Sequence, residues 1–599
     1  MCYDLLRLLL NLPFIVRLQS LRLALSIPST SIQLCMVGLV AGFVAAAVII
    51  LFRLCLEVLQ TALLGSVGNY SAMPSWQLIL LPTIAILLVI VVAKLTGFEH
   101  YRMGIPFVIH RFKVYYGHIP LATSINQFFG GILALASGFV VGKEGPTVHL
   151  AAAASHYVGR WVALPFNSLR ILSGCGIAAG IAAAFNTPFA AVIFVMEVVM
   201  REYKVHIFVP VMLAAACGSI LTRLVFGDIT ELSFLSFHAM EYWHYPILII
   251  LGVILGLTAS LFNKQLMWTM RLFGPFNMMT RLLLAAAITG CVGYYMPSTL
   301  GAEFINIDKF IASSPQLVAI FTLFAAKFLL AIVAIALGVP GGIIGAVMVI
   351  GILAGVLFLQ PLQGLLIHVI EIPMLNTPLE LTTNYALLGL AGFLAAVLHA
   401  PLAALSAVME LSSTQQIILP ALITIVSAYV TSKQLCNNRS IFIQQLDYQN
   451  LPYTTTAIRV ELQDTGVMAI MRTDFKAFNM GEEAEMFEFL QQNPNALLVN
   501  TRQYEGSYEW ELINLAVGLQ EDSDPILRTK IHCISDQNTL AEVYELLHTQ
   551  AHGGVAIVSA VNKDVTGATI ELDQQNTQGK LCGVITWNML HTYLLRQQH

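Results

Sequence analysis

The sequence predicts an all-α polytopic membrane domain with an internal repeat, followed by a soluble α/β region built from two small halves. Three observations carry this. Of 599 residues, 57% are hydrophobic and only 11% charged, with a mean hydropathy of +0.76. Soluble domains carry about 25% charged residues, so the chain belongs in a bilayer. The charges are sparse up to about Asn437 and dense beyond it. Two apolar stretches also repeat one another, and so do two polar stretches of the tail.

The elements follow in order. Arg7 and Arg17 flank Leu8 to Val16. With no small-residue cleavage site, this reads as a cytoplasmic helix lying on the membrane surface. Ser31 to Leu63 is a long apolar span whose Gly38, Gly42 and Ala45 to Ala47 allow close helix packing. Trp76 to Leu95 is a second span. Tyr101-Arg102-Met103-Gly104-Ile105-Pro106 then interrupts the apolar pattern, and Arg111, Lys113 and His118 mark a cytoplasmic loop. Further spans are expected at Ile125–Val141, Ile171–Met200, Val209–Phe226, Tyr245–Met267, Arg281–Tyr295 and Leu317–Leu337. Many apolar runs fall short of the ~20 residues of a perpendicular span, which points to tilted or broken helices around a polar site.

The focus of the pattern is Gly142-Lys143-Glu144-Gly145-Pro146, between the apolar runs Phe129–Val141 and Thr147–Val158. A carboxylate at membrane depth is costly and is a functional candidate for that reason. Pro146 suits the first turn of a new helix, whose free N–H groups favour an anion. Glu144 could supply that anion itself, or simply cap the helix. A second glycine cluster, Gly338-Val339-Pro340-Gly341-Gly342-Ile343-Ile344-Gly345, follows the Leu317–Leu337 span.

The membrane repeat is written in spacings. Gly176 precedes Pro188 by 12 (188−176), as Gly389 precedes Pro401 (401−389). Glu197 follows Pro188 by 9 (197−188), and Glu410 follows Pro401 by 9 (410−401). Duplicated halves that meet at the midplane are a common way to build a transport site. In the tail, Ile470-Met471-Arg472-Thr473 recurs as Ile526-Leu527-Arg528-Thr529. Helices are expected at Glu485–Leu490 and Glu542–Leu547, and strands at Val555–Ser559 and Gly583–Thr586. There is no basic domain to suggest nucleic acid. The nine cysteines include no Cys-x-x-Cys pair, so neither zinc nor a disulfide framework is indicated. A nucleophile–base pair or metal cluster for an enzyme is not evident either.

These residues resemble the CLC chloride channels and chloride/proton exchangers. Gly142 to Pro146 is similar to the family's G-[KR]-E-G-P motif. Met103 to Pro106 resembles the tail of G-S-G-I-P, and Gly338 to Ala346 the G-x-P-G and G-x-F-x-P region. The tail from Ile470 resembles a CBS pair. The resemblance implies an inverted-repeat membrane domain over residues 1–450, a cytoplasmic CBS pair over 451–599, and a homodimer with one pore per subunit. It further implies a multi-pass protein of the bacterial inner membrane with both termini cytoplasmic, contacting lipid and moving an inorganic anion, with no cofactor. Glu144 matches the gating glutamate. Met103, Gly104, Ile105, Gly145, Ile343, Ile344 and Phe442 match anion-binding positions.

Several positions depart from the family pattern. Met103 replaces a serine hydroxyl with a thioether, as in fluoride-exporting members, although those are short and usually lack the proline that Pro146 supplies here. Phe442 replaces a tyrosine. Ala346 replaces the usual proline. Glu197 matches the first glutamate of a pair whose second, the internal proton acceptor, falls on Val198. Channel-type members carry valine there. Glu202, four residues on from Val198, returns to roughly the same helix face about one turn away and is the nearby replacement. Glu197 and Glu410 fit either helix ends or an ion pathway. His149 and His399 read as core histidines, and Arg472 and Arg528 as solvated or structural charges. The reading is a chloride channel gated by Glu144, with a proton-coupled chloride or other anion antiporter, fluoride included, as the alternative. Gly583-Val584-Ile585-Thr586 resembles the start of a ribose-binding motif, but Met589 stands where its aspartate belongs, so adenine nucleotide binding by the tail is expected to be weak or absent.

Overall fold

The computed structural model describes residues 21–27, 32–97, 104–227, 235–302, 316–365, 378–453, 459, 462–494, 496–504, 507–515, 526–548, 553–558 and 581–597. Met103 and the stretch Leu8–Val16 lie outside these. The chain forms two compact units, one of Cys35–Val158 with Ile171–Tyr453, the other of Met1–Leu34, Gly159–Arg170 and Thr454–His599.

The first unit is helical throughout. Its helices, of which α1, α5 and α6 each have one end among the segments of the other unit, are α1 (Ile32–Leu64), α2 (Ser75–Leu95), α3 (Ile105–Val114), α4 (Leu121–Ala136), α5 (Glu144–Trp161), α6 (Phe166–Phe185), α7 (Pro188–Phe194) and α8 (Val205–Phe226). After these come α9 (His244–Phe273), α10 (Met278–Tyr295), α11 (Leu317–Leu337), α12 (Ile344–Leu365), α13 (Pro378–Leu398), α14 (Pro401–Ser412), α15 (Ile418–Val430) and α16 (Ile441–Tyr448). Ten helical stretches among the described residues are long and apolar enough to cross a membrane.

The repeat seen in the sequence is structural. α6 leads into α7 as α13 leads into α14, and each pair turns on a residue in the left-handed region, Asn186 (φ 56) and His399 (φ 57). Both lie two residues before the proline that opens the next helix. α6 and α13 are also the innermost helices, each 94% buried along its apolar stretch, α12 follows at 72%, and the other long helices, 33–44% buried, expose apolar faces suited to lipid. Small residues permit this packing. A Cβ on Gly42 would lie 2.8 Å from that of Ala214, so α1 and α8 approach closely. Val141 and Val339, which precede the two glycine clusters, share one apolar core with Val89, Phe139, Leu282 and Leu337. That core fixes the two clusters relative to one another.

The second unit holds a six-stranded sheet in the order β1-β2-β3-β4-β5-β6. Its strands are β1 (Phe475–Asn479), β2 (Leu497–Tyr504), β3 (Ser507–Leu515), β4 (Ile526–Ser535), β5 (Gly554–Val558) and β6 (Leu581–Thr586). The helices α17 (Glu483–Gln492) and α18 (Leu540–Leu547) follow β1 and β4, and α19 (Trp587–Gln597) closes the chain. α18 starts on a capping box, with the Thr539 N–H donating to Glu542 Oε2 at 2.8 Å. Each half is β-α-β-β, with one parallel pair (β1/β2, β4/β5) and one antiparallel pair (β2/β3, β5/β6). The repeated tetrapeptides are exchanged between halves. Arg472 pairs with Val584 of β6, and Arg528 with Ile513 of β3. This α/β architecture is consistent with the CBS pair that the tail resembles. The two arginines themselves are tied to carboxylates, Arg472 to Asp474 and Arg528 to Glu483.

Two further segments belong to this unit. Asn167 Nδ2 donates to the Leu25 carbonyl at 2.9 Å and the Asp464 carbonyl at 3.0 Å, and the buried Arg170 donates to Asp464 Oδ1 at 3.0 Å. Met589 lies on α19 after β6, and no carboxylate stands at its position to accept ribose hydroxyl bonds. The full-length protein is therefore expected to show no submillimolar ATP binding in a calorimetric titration. Submillimolar affinity would contradict this.

Candidate functional site

Two glycine clusters meet at the centre of the helical unit. The Gly142 N–H donates to the Gly342 carbonyl at 2.7 Å, and the Gly342 N–H returns a bond to the Gly142 carbonyl at 2.6 Å. This single antiparallel bridge joins the two halves of the chain where α5 and α12 begin. Only glycines fit here. A Cβ on Gly145 would lie 2.5 Å from the Gly341 carbonyl oxygen, and one on Gly341 would meet Val141 at 2.5 Å.

Glu144 folds its carboxylate into this junction. Its side chain is buried, with a Cβ on Gly342 falling 2.7 Å from Oε2 and one on Gly345 falling 3.0 Å from Oε1. A Cβ on Gly142 would overlap Oε2 outright. Gly142, Gly342 and Gly345 thus form a cradle shaped around an anionic group. The first-turn N–H groups of α12 have no intrahelical acceptors and carry the positive end of the helix dipole. A negative charge is stabilised at such a place, whether it is a carboxylate or a small anion.

The other positions singled out from the sequence cluster nearby or supply neighbouring helix starts. Gly104, in the left-handed region at φ +82, precedes α3, and its Cβ would lie 3.9 Å from the Gly341 carbonyl. Ile105, Ile343 and Ile344 are buried at helix starts, and Phe442 is buried in the first turn of α16. Lys143 Nζ lies 4.6 Å from the ring centre of Phe185. A cavity of about 60 Å³ opens beside Glu144, lined among others by Phe185, Thr187, Ala190, Ile344 and Ala403.

Glu197 and Glu410 cap helices, each in the opposite repeat. Phe189 N and Ala190 N at the start of α7 donate to Glu410 Oε1 and Oε2 at 2.9 and 2.7 Å. Leu402 N and Ala403 N at the start of α14 donate to Glu197 Oε1 and Oε2 at 3.2 and 2.6 Å. The helix-end reading of these acids is the one the geometry takes, and the exchange between repeats locks α7 to α14. Replacing Glu410 by Ala strands two donors, of which Ala190 N is buried. The expected cost is about 1–3 kcal/mol for a buried unsatisfied donor, read as a lower melting temperature in detergent. Glu410→Gln keeps one acceptor and should lose about half as much. An unchanged melting temperature in the alanine variant would contradict the capping role.

Glu202 is placed differently from the helical extrapolation. After Phe194 the chain passes into a π-turn, Val195–Met200, and Arg201 is left-handed at φ 58. The helix therefore ends before Glu202, which does not return to the face of Val198. Instead Lys113 Nζ donates to Glu202 Oε1 at 2.7 Å, and both side chains are nearly buried. The sequence marks Lys113 only as part of a loop. No group of three or more potential metal-ligating side chains exists among the described residues.

A profile of the family described as "Voltage gated chloride channel" matches residues 84–433, more than half of the chain. The chain belongs to the CLC family. A ClcB-like protein of Ralstonia nicotianae, whose name carries the words chloride channel, is 28% identical over 418 residues, covering 67% of this chain and 93% of that one. The H(+)/Cl(-) exchange transporter ClcA of Vibrio cholerae is 28% identical over 347 residues, covering 54% of this chain and 71% of its own. The crystal structure of a eukaryotic CLC transporter shares the fold with a TM-score of 0.57 at 18% identity, over 93% of this chain and 97% of that chain. That coverage takes in the tail as well as the helical unit. This CLC protein is thus a multi-pass membrane transport protein of the chloride-moving family.

Proposed function

We propose that this CLC protein exchanges chloride for protons across the membrane, with Glu144 as the group that links the two ions. The observation that carries the reading is the Glu144 carboxylate within the Gly142, Gly342 and Gly345 cradle. An anion entering that cradle must displace the carboxylate, and protonation removes the charge that holds it there. Proton binding and anion binding are then linked through one site. The 28%-identical relative named as an H(+)/Cl(-) exchange transporter supports the same reading. Passive conduction is the second reading, and Val198 is the residue that favours it, since it cannot take up a proton.

In this proposal residues 1–450 form the anion-transport domain. Gly104, Ile105, Gly145, Ile343, Ile344 and Phe442 border the anion's path together with Met103, which lies outside the described residues. Residues 451–599 form a cytoplasmic CBS pair, and two copies of the chain assemble in the inner membrane. The test uses purified protein in liposomes with a chloride gradient and a pH electrode outside. Exchange predicts proton movement against the proton gradient, driven by chloride. Chloride flux without proton movement would establish passive conduction instead. Replacing chloride by fluoride in the same vesicles assigns the anion.

A further inference from the structure

We propose that a seam of imidazole and hydroxyl groups, His118–His156 and Thr123–His149, carries protons between the protein surface and Glu144. This rests on the exchange reading and supplies the route it needs. Val198 carries no proton, and Glu202 is held in an ion pair by Lys113. Apart from Glu144 and Thr187, the lining of the cavity beside Glu144 is apolar. A water chain needs two to four polar partners per molecule, and that lining supplies few.

α5 offers a different line. It begins at Glu144 and carries His149 and His156, both fully buried. The two histidines are seven residues apart (156−149), which is two turns and about 10 Å along one stripe of the helix. His149 lies five residues from Glu144 (149−144), about 7.5 Å along the axis. Facing this stripe is the segment that leads into α4. His118 Nδ1 lies 3.3 Å from His156 Nε2, and His118 is half-buried, so it forms the mouth of the seam. Thr123 Oγ1 lies 3.1 Å from His149 Nε2 and donates to the Pro120 carbonyl at 2.7 Å.

That last bond sets the proton positions. With the Thr123 hydrogen on Pro120, the Nε2 of His149 is the donor to Thr123, and Nδ1 is left as a base. His149 Nδ1 has no hydrogen-bond partner among the described residues. Neither does Thr147 Oγ1, also fully buried and one turn from Glu144. Each buried orphan is destabilising if left dry, and a water shared by such groups removes the cost. Two orphans thus lie on α5 within five residues of Glu144 (149−144), where a relay needs donors and acceptors.

The step balances with no standing charge. For delivery the Thr123 hydroxyl turns from Pro120 to donate to His149 Nε2, and the ring starts with its hydrogen on Nδ1. Nδ1 passes that proton through water to a Glu144 oxygen, forming the O–H bond of the neutral acid, while Nε2 takes the Thr123 hydrogen and the Thr123 oxygen is reprotonated through water from the His118–His156 end. His149 ends in the Nε2–H tautomer, and the return step reverses each transfer. Each imidazole accepts on one nitrogen, releases from the other and ends neutral. Neutral transfer matters because α3 sets the Arg111 guanidinium 5.2 Å from the ring centre of Phe107, which stacks on His149 at 5.6 Å. A lasting imidazolium at His149 would be repelled by that cation. Titratable groups packed against His156 include His118 and Tyr157, whose hydroxyl donates to the Ile119 carbonyl at 3.1 Å.

The experiment measures chloride efflux and chloride-driven proton uptake in the same liposomes for full-length His149→Gln, His156→Gln, His118→Gln, Thr123→Val and Glu202→Gln. A relay role predicts that His149→Gln and His156→Gln keep chloride flux while the proton-to-chloride ratio falls at least about tenfold, the scale of losing one proton-transfer group. Thr123→Val should lower the ratio less. A merely structural role would lower both fluxes together and leave their ratio unchanged. Should His149→Gln lose chloride flux through misfolding, the ratio in His118→Gln, at the mouth, decides. An unchanged ratio in the histidine variants of a coupled wild type overturns the relay alone. A ratio that falls only in Glu202→Gln overturns it in favour of Glu202. A wild type that moves no protons overturns the exchange reading and the relay with it.

Discussion

Glu144→Gln is expected to give anion flux that is flat with pH, at the level the wild type reaches only in acid. In the wild type the ionised carboxylate occupies the cradle of Gly142, Gly342 and Gly345. Lowering the pH neutralises it, so flux rises as pH falls. Above the carboxyl's titration range the neutral fraction drops about tenfold per pH unit, and flux should follow it. Glutamine is uncharged at every pH and removes this dependence. Proton coupling should vanish in the same variant, because the group that carries the proton is gone. Chloride efflux from liposomes over a pH series reads both effects, and a Gln variant that keeps the wild-type slope would exclude Glu144 as the titrating group.

Gly342→Ala is expected to abolish transport. Its Cβ would stand 2.6 Å from Gly145 N and 2.7 Å from Glu144 Oε2. The nitrogen is backbone and cannot rotate away, so the Gly142–Gly342 bridge has to open. Overpacking of this kind costs on the order of 1–3 kcal/mol. The larger effect is on function, because the added methyl takes the space of the anionic group. Thermal unfolding in detergent and chloride flux separate the two. A folded variant with normal flux would show that the cradle is not on the anion's path.

Much of this was legible in the sequence, for physical reasons that differ by element. Glycine followed by proline marks a place where one helix stops and another starts, and that grammar located Glu144 and the Gly338–Gly345 cluster. The repeat was legible because the spacing from Pro188 to Glu197 equals that from Pro401 to Glu410. What spacing cannot give is the partner. Each glutamate caps the helix of the other repeat, more than 200 residues away in sequence. Glu202 was misplaced because an α-helical period was carried across a π-turn that the residues Val195–Met200 do not announce. Arg111, Lys113 and His118 read as a loop in the sequence, and only packing brings Lys113 to Glu202 and His118 to His156 on α5. In the tail the repeated tetrapeptides revealed two halves. The exchange of those segments between β6 and β3 needed the structure.

The central claim is that the Glu144 carboxylate and the transported anion occupy the same cradle. Crystals of the Glu144→Ala variant soaked in bromide test it most directly, since bromide is located by its anomalous scattering. The account predicts a bromide peak among Gly142, Gly342 and Gly345, at the start of α12, where the carboxylate stands in the intact protein. Bromide bound elsewhere along the chain, with the cradle empty in the alanine variant, would contradict it.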